Sequence, residues 1–187
     1  MIGALIDFDT FVIAYLIVFL IYAFVKLIKN RKMGRSKIIK LILKNFIFVG
    51  YFVCLAGITL APISIPPEQS SVELKSLIVL DPLKMFDYPY VSIAIRNIAG
   101  NVLMMVPLIP LYGIWKGHKT ITMKQTFVFA FCVSLSIEFL QLIENITGLS
   151  GVMVRTSDIS DIICNIIGAI VGFAIYKVYI KLFNSEK

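Results

Sequence analysis

Charge is scarce in this 187-residue chain: 16% of residues are Asp, Glu, Lys or Arg, against 59% hydrophobic. Soluble domains average about 25% charged and about 45–50% apolar, so a soluble globular domain is excluded and a bilayer is the expected solvent. Histidine is nearly absent. The one residue, His118, follows an apolar span in a Lys-rich connection, which excludes a histidine-rich metal site and a Ser-His nucleophilic pair beside the acidic groups below. The three cysteines, Cys54, Cys132 and Cys164, lie singly in different apolar stretches without a CxxC pair. They read as small buried hydrophobes, not disulfides or metal ligands, and indicate no redox compartment. A phosphate-cradling glycine loop is missing too. The net charge of +7 is not a nucleic-acid footprint, because the basic residues sit between apolar spans, as membrane topology requires.

What the chain has is long apolar runs. Five stretches reach or approach the roughly 20 residues of a spanning helix: 10–28, 45–63, 98–115, 126–143 and 162–179. The expected fold is therefore an all-α integral membrane protein of about five transmembrane helices. Ala61-Pro62 ends the second span, and Pro107 and Pro110 predict a kink or break in the third. Positive charge follows the first apolar core instead of preceding it, unlike a cleaved signal peptide. Fourteen of the eighteen Lys and Arg residues fall on one side: Lys26 to Lys44, Lys116 to Lys124, and the tail from Lys177. The other four are Lys75, Lys84, Arg96 and Arg155. The positive-inside rule then places the N-terminus outside and the C-terminus in the cytoplasm, in a multi-pass protein of the cell membrane.

Residues 1–44 read as an N-terminal anchoring helix followed by a basic cytoplasmic loop suited to anionic head groups. Residues 45–187 form the main transmembrane unit, with an extracytoplasmic loop over 64–96. Within that loop, Ser70-Ser71-Val72-Glu73 resembles a capping box. It predicts a short surface helix over Leu74–Leu80, stopped by Asp81-Pro82, and Tyr88-Pro89-Tyr90 sets aromatic rings at interface depth.

The polar residues inside the spans carry the functional information. Arg96, Asn97 and Asn101 open the third span, with the two amides four apart on one helix face. Glu138 and Gln141, three apart, share a face near the outer end of the fourth. Arg155 precedes the fifth, where Asp158, Asp161, Asn165, Gly168 and Gly172 form one helical stripe. Thr156 or Ser157 is the expected N-cap, and a helix-start role for Asp158 is the simpler alternative to a ligand-facing one. Gly168 and Gly172 make a GxxxG packing surface. All three clusters fall toward the same membrane face. They predict one outward-open polar pocket lined by Arg96, Asn97, Asn101, Glu138, Gln141, Arg155, Asp158, Asp161 and Asn165. Its cations, carboxylates and amides suit recognition of a zwitterionic or sugar-peptide head group, or acid–base chemistry by paired carboxylates. Glu138, Asp158 and Asp161 can be considered oxygen ligands for a hard cation, but the nearby arginines argue against it. Neither metal nor cofactor is expected.

The same residues carry a family resemblance. The Arg96-Asn-Ile-Ala-Gly-Asn101-Val-Leu-Met-Met-Val-Pro107 segment, the Ile137-Glu138-Phe-Leu-Gln141 helix and the run from Arg155 through Asp158, Asp161 and Asn165 to Gly168 together resemble the VanZ-like family, over roughly residues 45 to 180. Ser160 departs from that pattern where many members carry a further acid, and Asp81-Pro82-Leu83 replaces a more usual Asn-x-x-Pro-Phe type segment. The resemblance implies a Gram-positive-type envelope protein associated with reduced susceptibility to teicoplanin-like lipoglycopeptides. It does not specify a reaction.

Three functions follow as expectations. The first is an envelope factor whose pocket binds or modifies an outer-leaflet amphiphile, such as a lipid-linked cell-wall precursor or a lipoglycopeptide. The second is a small transporter or channel subunit, forming a homo-oligomer through Gly168 and Gly172. The third is a structural membrane protein whose polar clusters only pack helices.

Overall fold

The computed structural model describes residues 4–30, 34–67, 74–87, 90–117, 120–151 and 154–185. Ser70–Glu73, Tyr88, Pro89 and His118 lie outside them. A bilayer satisfies no backbone polar group, so an apolar chain must close its hydrogen bonds within each segment. Among the described residues the fold obeys this with six α-helices: α1 (Phe8–Lys29), α2 (Arg35–Leu60), α3 (Val91–Met105), α4 (Leu108–Trp115), α5 (Met123–Thr147) and α6 (Ile159–Ser185). Taking α3 and α4 together as Val91–Trp115, five are long and apolar enough to cross a membrane. The break between α3 and α4 falls at Val106-Pro107, where proline cannot donate the next helical bond.

The helices outrun the apolar cores read from the sequence. α2 begins at Arg35, so most of the basic segment expected as a loop is helical. Lys and Arg are good helix formers whose heads can reach water from exposed turns. α5 begins at Met123 because Thr122 and Gln125 form a reciprocal capping box, and it ends on Gly148 in the left-handed conformation.

Short strands tie the connections together. β1 (Ala4–Ile6) pairs antiparallel with β2 (Ile63–Ile65), joining the start of the chain to the segment after α2. The helix expected over Leu74–Leu80 is only a 3-10 turn at Leu74–Leu77. It gives way to β3 (Ile78–Val79), which pairs in parallel with β4 (Ser157–Asp158) just before α6. Two β-branched residues and an available strand partner outcompete the helix here. Asp81 then caps a second 3-10 turn, Pro82–Phe86, accepting from the Leu83 amide at 3.0 Å.

α6 is the packing axis, in contact with α3, α4 and α5. Met105, Leu108, Ile109, Ala130, Ala169 and Tyr176 form its buried surroundings. A Cβ added at Gly168 would lie 2.1 Å from the Val102 carbonyl oxygen, and one at Gly172 would lie 2.1 Å from that of Val106. The GxxxG face thus sits directly on the α3 backbone, the arrangement small residues permit in membranes. α1 contributes no buried residue and packs against α2.

Gly168→Val is expected to lower stability in detergent by about 1–3 kcal/mol, the usual cost of overpacking. A Cβ at Gly100 meets nothing within 4 Å, so Gly100→Ala should be neutral or slightly stabilising. Equal thermal unfolding of both variants would refute the contact.

Candidate functional site

The end of α2 explains much of the polar architecture. A helix leaves its last carbonyls without intrahelical partners, and the residue at position 62 is a proline with no N–H to offer. Arg155 fills the gap: its guanidinium donates to the Thr59 and Ala61 carbonyl oxygens. Gln141 on α5 donates from Nε2 to the same Thr59 oxygen at 2.9 Å. A cation at a helix C-terminus is also favoured by the backbone dipole. The Arg155 backbone is held in turn by Asn145, whose Nδ2 donates to the Arg155 carbonyl and whose Oδ1 accepts from the Arg155 amide at 3.2 Å. Burial pulls the Arg155 pKa below its ordinary value while the nearby Glu144 carboxylate opposes the shift. The guanidinium remains charged. These bonds fasten the segment before α6 to both α2 and α5.

Glu138 makes a second fastening. Its buried Oε2 accepts from the Asp158 amide at 2.9 Å and from the Ser157 hydroxyl at 3.2 Å. The Ser157 hydroxyl also lies 3.0 Å from the Glu138 carbonyl oxygen. Asp158 accepts from the Ser160 amide at 2.8 Å. Asp158 is therefore the residue that caps α6, in place of the expected Thr156 or Ser157, and Ser160 uses its amide to complete that cap.

Between these fastenings lies a polar cavity of about 510 Å³, where the end of α2, α3, α5 and the start of α6 meet. Six of the nine residues expected to line a pocket do so here: Arg96, Asn97, Asn101, Gln141, Arg155 and Asp161. Asn101 donates from Nδ2 to Asp161 Oδ1 at 2.5 Å, joining α3 to α6. Arg96 is exposed and makes no hydrogen bond or ion pair among the described residues. Ile58, Met104 and Val154 add apolar surface.

The other three residues stand elsewhere. Glu138 and Asp158 line a separate cleft of about 220 Å³ beside Ile78, Leu80 and Phe139, and not the polar cavity. Asn165 is fully buried, donating to Ser134 Oγ at 2.8 Å; it braces α6 against α5. Residues overlooked from sequence include Asn145, Ser134 and the carbonyls of Thr59 and Ala61. Two signals were available. Pro62 announces an orphaned helix end, and Ser134 lies four residues before Glu138 on the same face. Among the described residues, no group of three or more His, Cys, Asp or Glu is placed to hold a metal.

The fold and this cavity define a polytopic helical membrane protein with a polar recess near one end of its bundle. The VanZ/LLP1 family profile matches residues 48–182, and the chain belongs to that family. No curated protein and no solved structure matches it.

Removing the fastening should unfold this end of the bundle. Arg155→Met removes the guanidinium donors to Thr59 and Ala61, leaving the Thr59 carbonyl with Gln141 alone, and should cost about 3 kcal/mol, on the scale of charged hydrogen bonds. Glu138→Gln retains an acceptor for Ser157 and Asp158 and should cost less than about 1 kcal/mol. Chemical denaturation in detergent checks both values, and a stable Arg155→Met protein would remove the fastening role.

Proposed function

We propose that the protein is a multi-pass protein of the cell membrane whose polar cavity faces outward and binds the head group of an outer-leaflet amphiphile. The candidates are a lipid-linked cell-wall precursor or a teicoplanin-type lipoglycopeptide. The carrying observation is one cavity that combines a cation without a partner among the described residues, Arg96, with the Asp161–Asn101 pair. Such a recess offers opposite charges and amides to a zwitterionic or sugar-peptide group. Because the cavity lies at one end of apolar helices, an attached acyl chain can remain in the bilayer. VanZ/LLP1 membership supports the link to teicoplanin-type resistance.

Binding is favoured over catalysis because the described residues lining the cavity include no histidine, cysteine or lysine. The same geometry suggests a division of labour: Arg96, Asn97, Asn101 and Asp161 meet the ligand, while Arg155, Glu138, Asp158 and Asn165 hold the walls. Gln141 and Arg155 do both, lining the cavity while bound to Thr59.

In cells expressing equal amounts of each variant, Asp161→Asn and Arg96→Gln should lower tolerance to a lipidated glycopeptide at least fourfold, about 1 kcal/mol of lost interaction. Tolerance to a non-lipidated glycopeptide should not change. Glu138→Gln should retain the phenotype. Unchanged lipoglycopeptide tolerance in both cavity variants would overturn the site.

A further inference from the structure

The opposite end of the bundle carries a second recess that the proposed function leaves unused. It is an apolar groove of about 420 Å³ between α1, α2 and the end of α4, lined by Tyr15, Phe19, Tyr22, Asn45, Phe48 and Trp115, among others. Its volume falls within the roughly 300–1,000 Å³ of small-molecule sites. The aromatic wall is ordered. Trp115 stacks on Phe48 with ring centroids 4.8 Å apart, and its indole N–H donates to Asn45 Oδ1 at 3.0 Å. Asn45 Nδ2 then donates to the Tyr22 hydroxyl oxygen at 2.6 Å. This relay ends on the Tyr22 proton, which has no acceptor among the described residues. A hydroxyl donor beside an apolar groove in a bilayer calls for an acceptor atom from outside the protein.

The charges around the groove indicate which acceptor. Lys26 lies over the Tyr22 ring with its Nζ 5.8 Å from the centroid, Lys44 precedes Asn45, and Lys116 follows Trp115. Arg35, Lys37 and Lys40 extend the positive field along the first turns of α2. An uncharged lipid would use the apolar wall but none of this charge. We propose that the groove is a binding site for an anionic diacyl phospholipid. One acyl chain lies along Phe19, Phe48 and Val49, and the phosphate meets Lys26, Lys44 and Lys116 and accepts from the Tyr22 hydroxyl. Occupancy adds to the α1–α2 contact, since α1 has no buried residue of its own.

Trp115 is the only tryptophan in the chain and is 38% exposed, so it reports on the groove directly. The test uses the full chain in phosphatidylcholine vesicles doped with brominated phosphatidylglycerol or, separately, brominated phosphatidylcholine. Half-quenching of Trp115 should occur at an about fivefold lower mole fraction of the anionic lipid, the scale one lysine contributes at an anionic surface. The preference should disappear in the combined Lys44→Gln, Lys116→Gln variant and shrink in Tyr22→Phe. Val18 lines the groove and is 65% exposed, so Val18→Phe should block the groove without disturbing the fold or the lysines. This variant should also lose the preference. Identical curves for the two lipids, or a preference surviving in Val18→Phe, would overturn the proposal; the second result would assign the effect to diffuse attraction by the basic turns.

Discussion

An arginine at the edge of a bilayer needs acceptors, and a helix that ends at a proline has carbonyls to offer. The meeting of Arg155 with Thr59 and Ala61 satisfies both needs at once. The rest of the polar end depends on it. Asn145 fixes the Arg155 backbone from α5, and Glu138 fixes the next turn of chain through Ser157 and Asp158. The entry to α6 is thus held by α2 and α5 before α6 begins. Each donor and acceptor in this set would be costly alone in a medium without water. Together they make a polar wall stable enough to stand beside an open cavity.

Below that wall, packing sets the geometry. Gly168 and Gly172 bring α6 against the α3 backbone. Asn101 and Asp161 meet higher up the same pair of helices. The cavity opens above this contact, with Arg96 nearer the N-terminus of α3. Small residues therefore govern the cavity's depth, and the hydrogen bond joins α3 to α6 at its inner side. Bulk added at Gly168 would separate α3 from α6 and act on the cavity indirectly.

Five spans, the end of α2 at Pro62 and the break at Pro107 were all legible in the sequence, because long apolar runs and proline carry simple physical consequences. The polar stripe was legible as a set but not in its division. Helical spacing places Asp158, Asp161 and Asn165 in line, yet it cannot distinguish a cap from a cavity wall or an interhelical brace. Asp158 leaves the set because it caps α6, and Asn165 because Ser134 takes its amide. Glu138 turns toward backbone that only the tertiary fold brings near. The β3–β4 pair was invisible for the same reason, since its partners are nearly eighty residues apart.

The sidedness of the cavity is the central physical claim, because every proposed ligand lies in the outer leaflet. Thiol labelling tests it directly. Cys54, Cys132 and Cys164 would be replaced by alanine, and a single cysteine introduced at Asn97, on the cavity wall, or at Lys116, at the opposite end. In intact cells a membrane-impermeant maleimide should label the protein carrying Asn97→Cys and spare the one carrying Lys116→Cys until the cells are lysed. Labelling of Lys116→Cys in intact cells, with Asn97→Cys protected until lysis, would contradict the account.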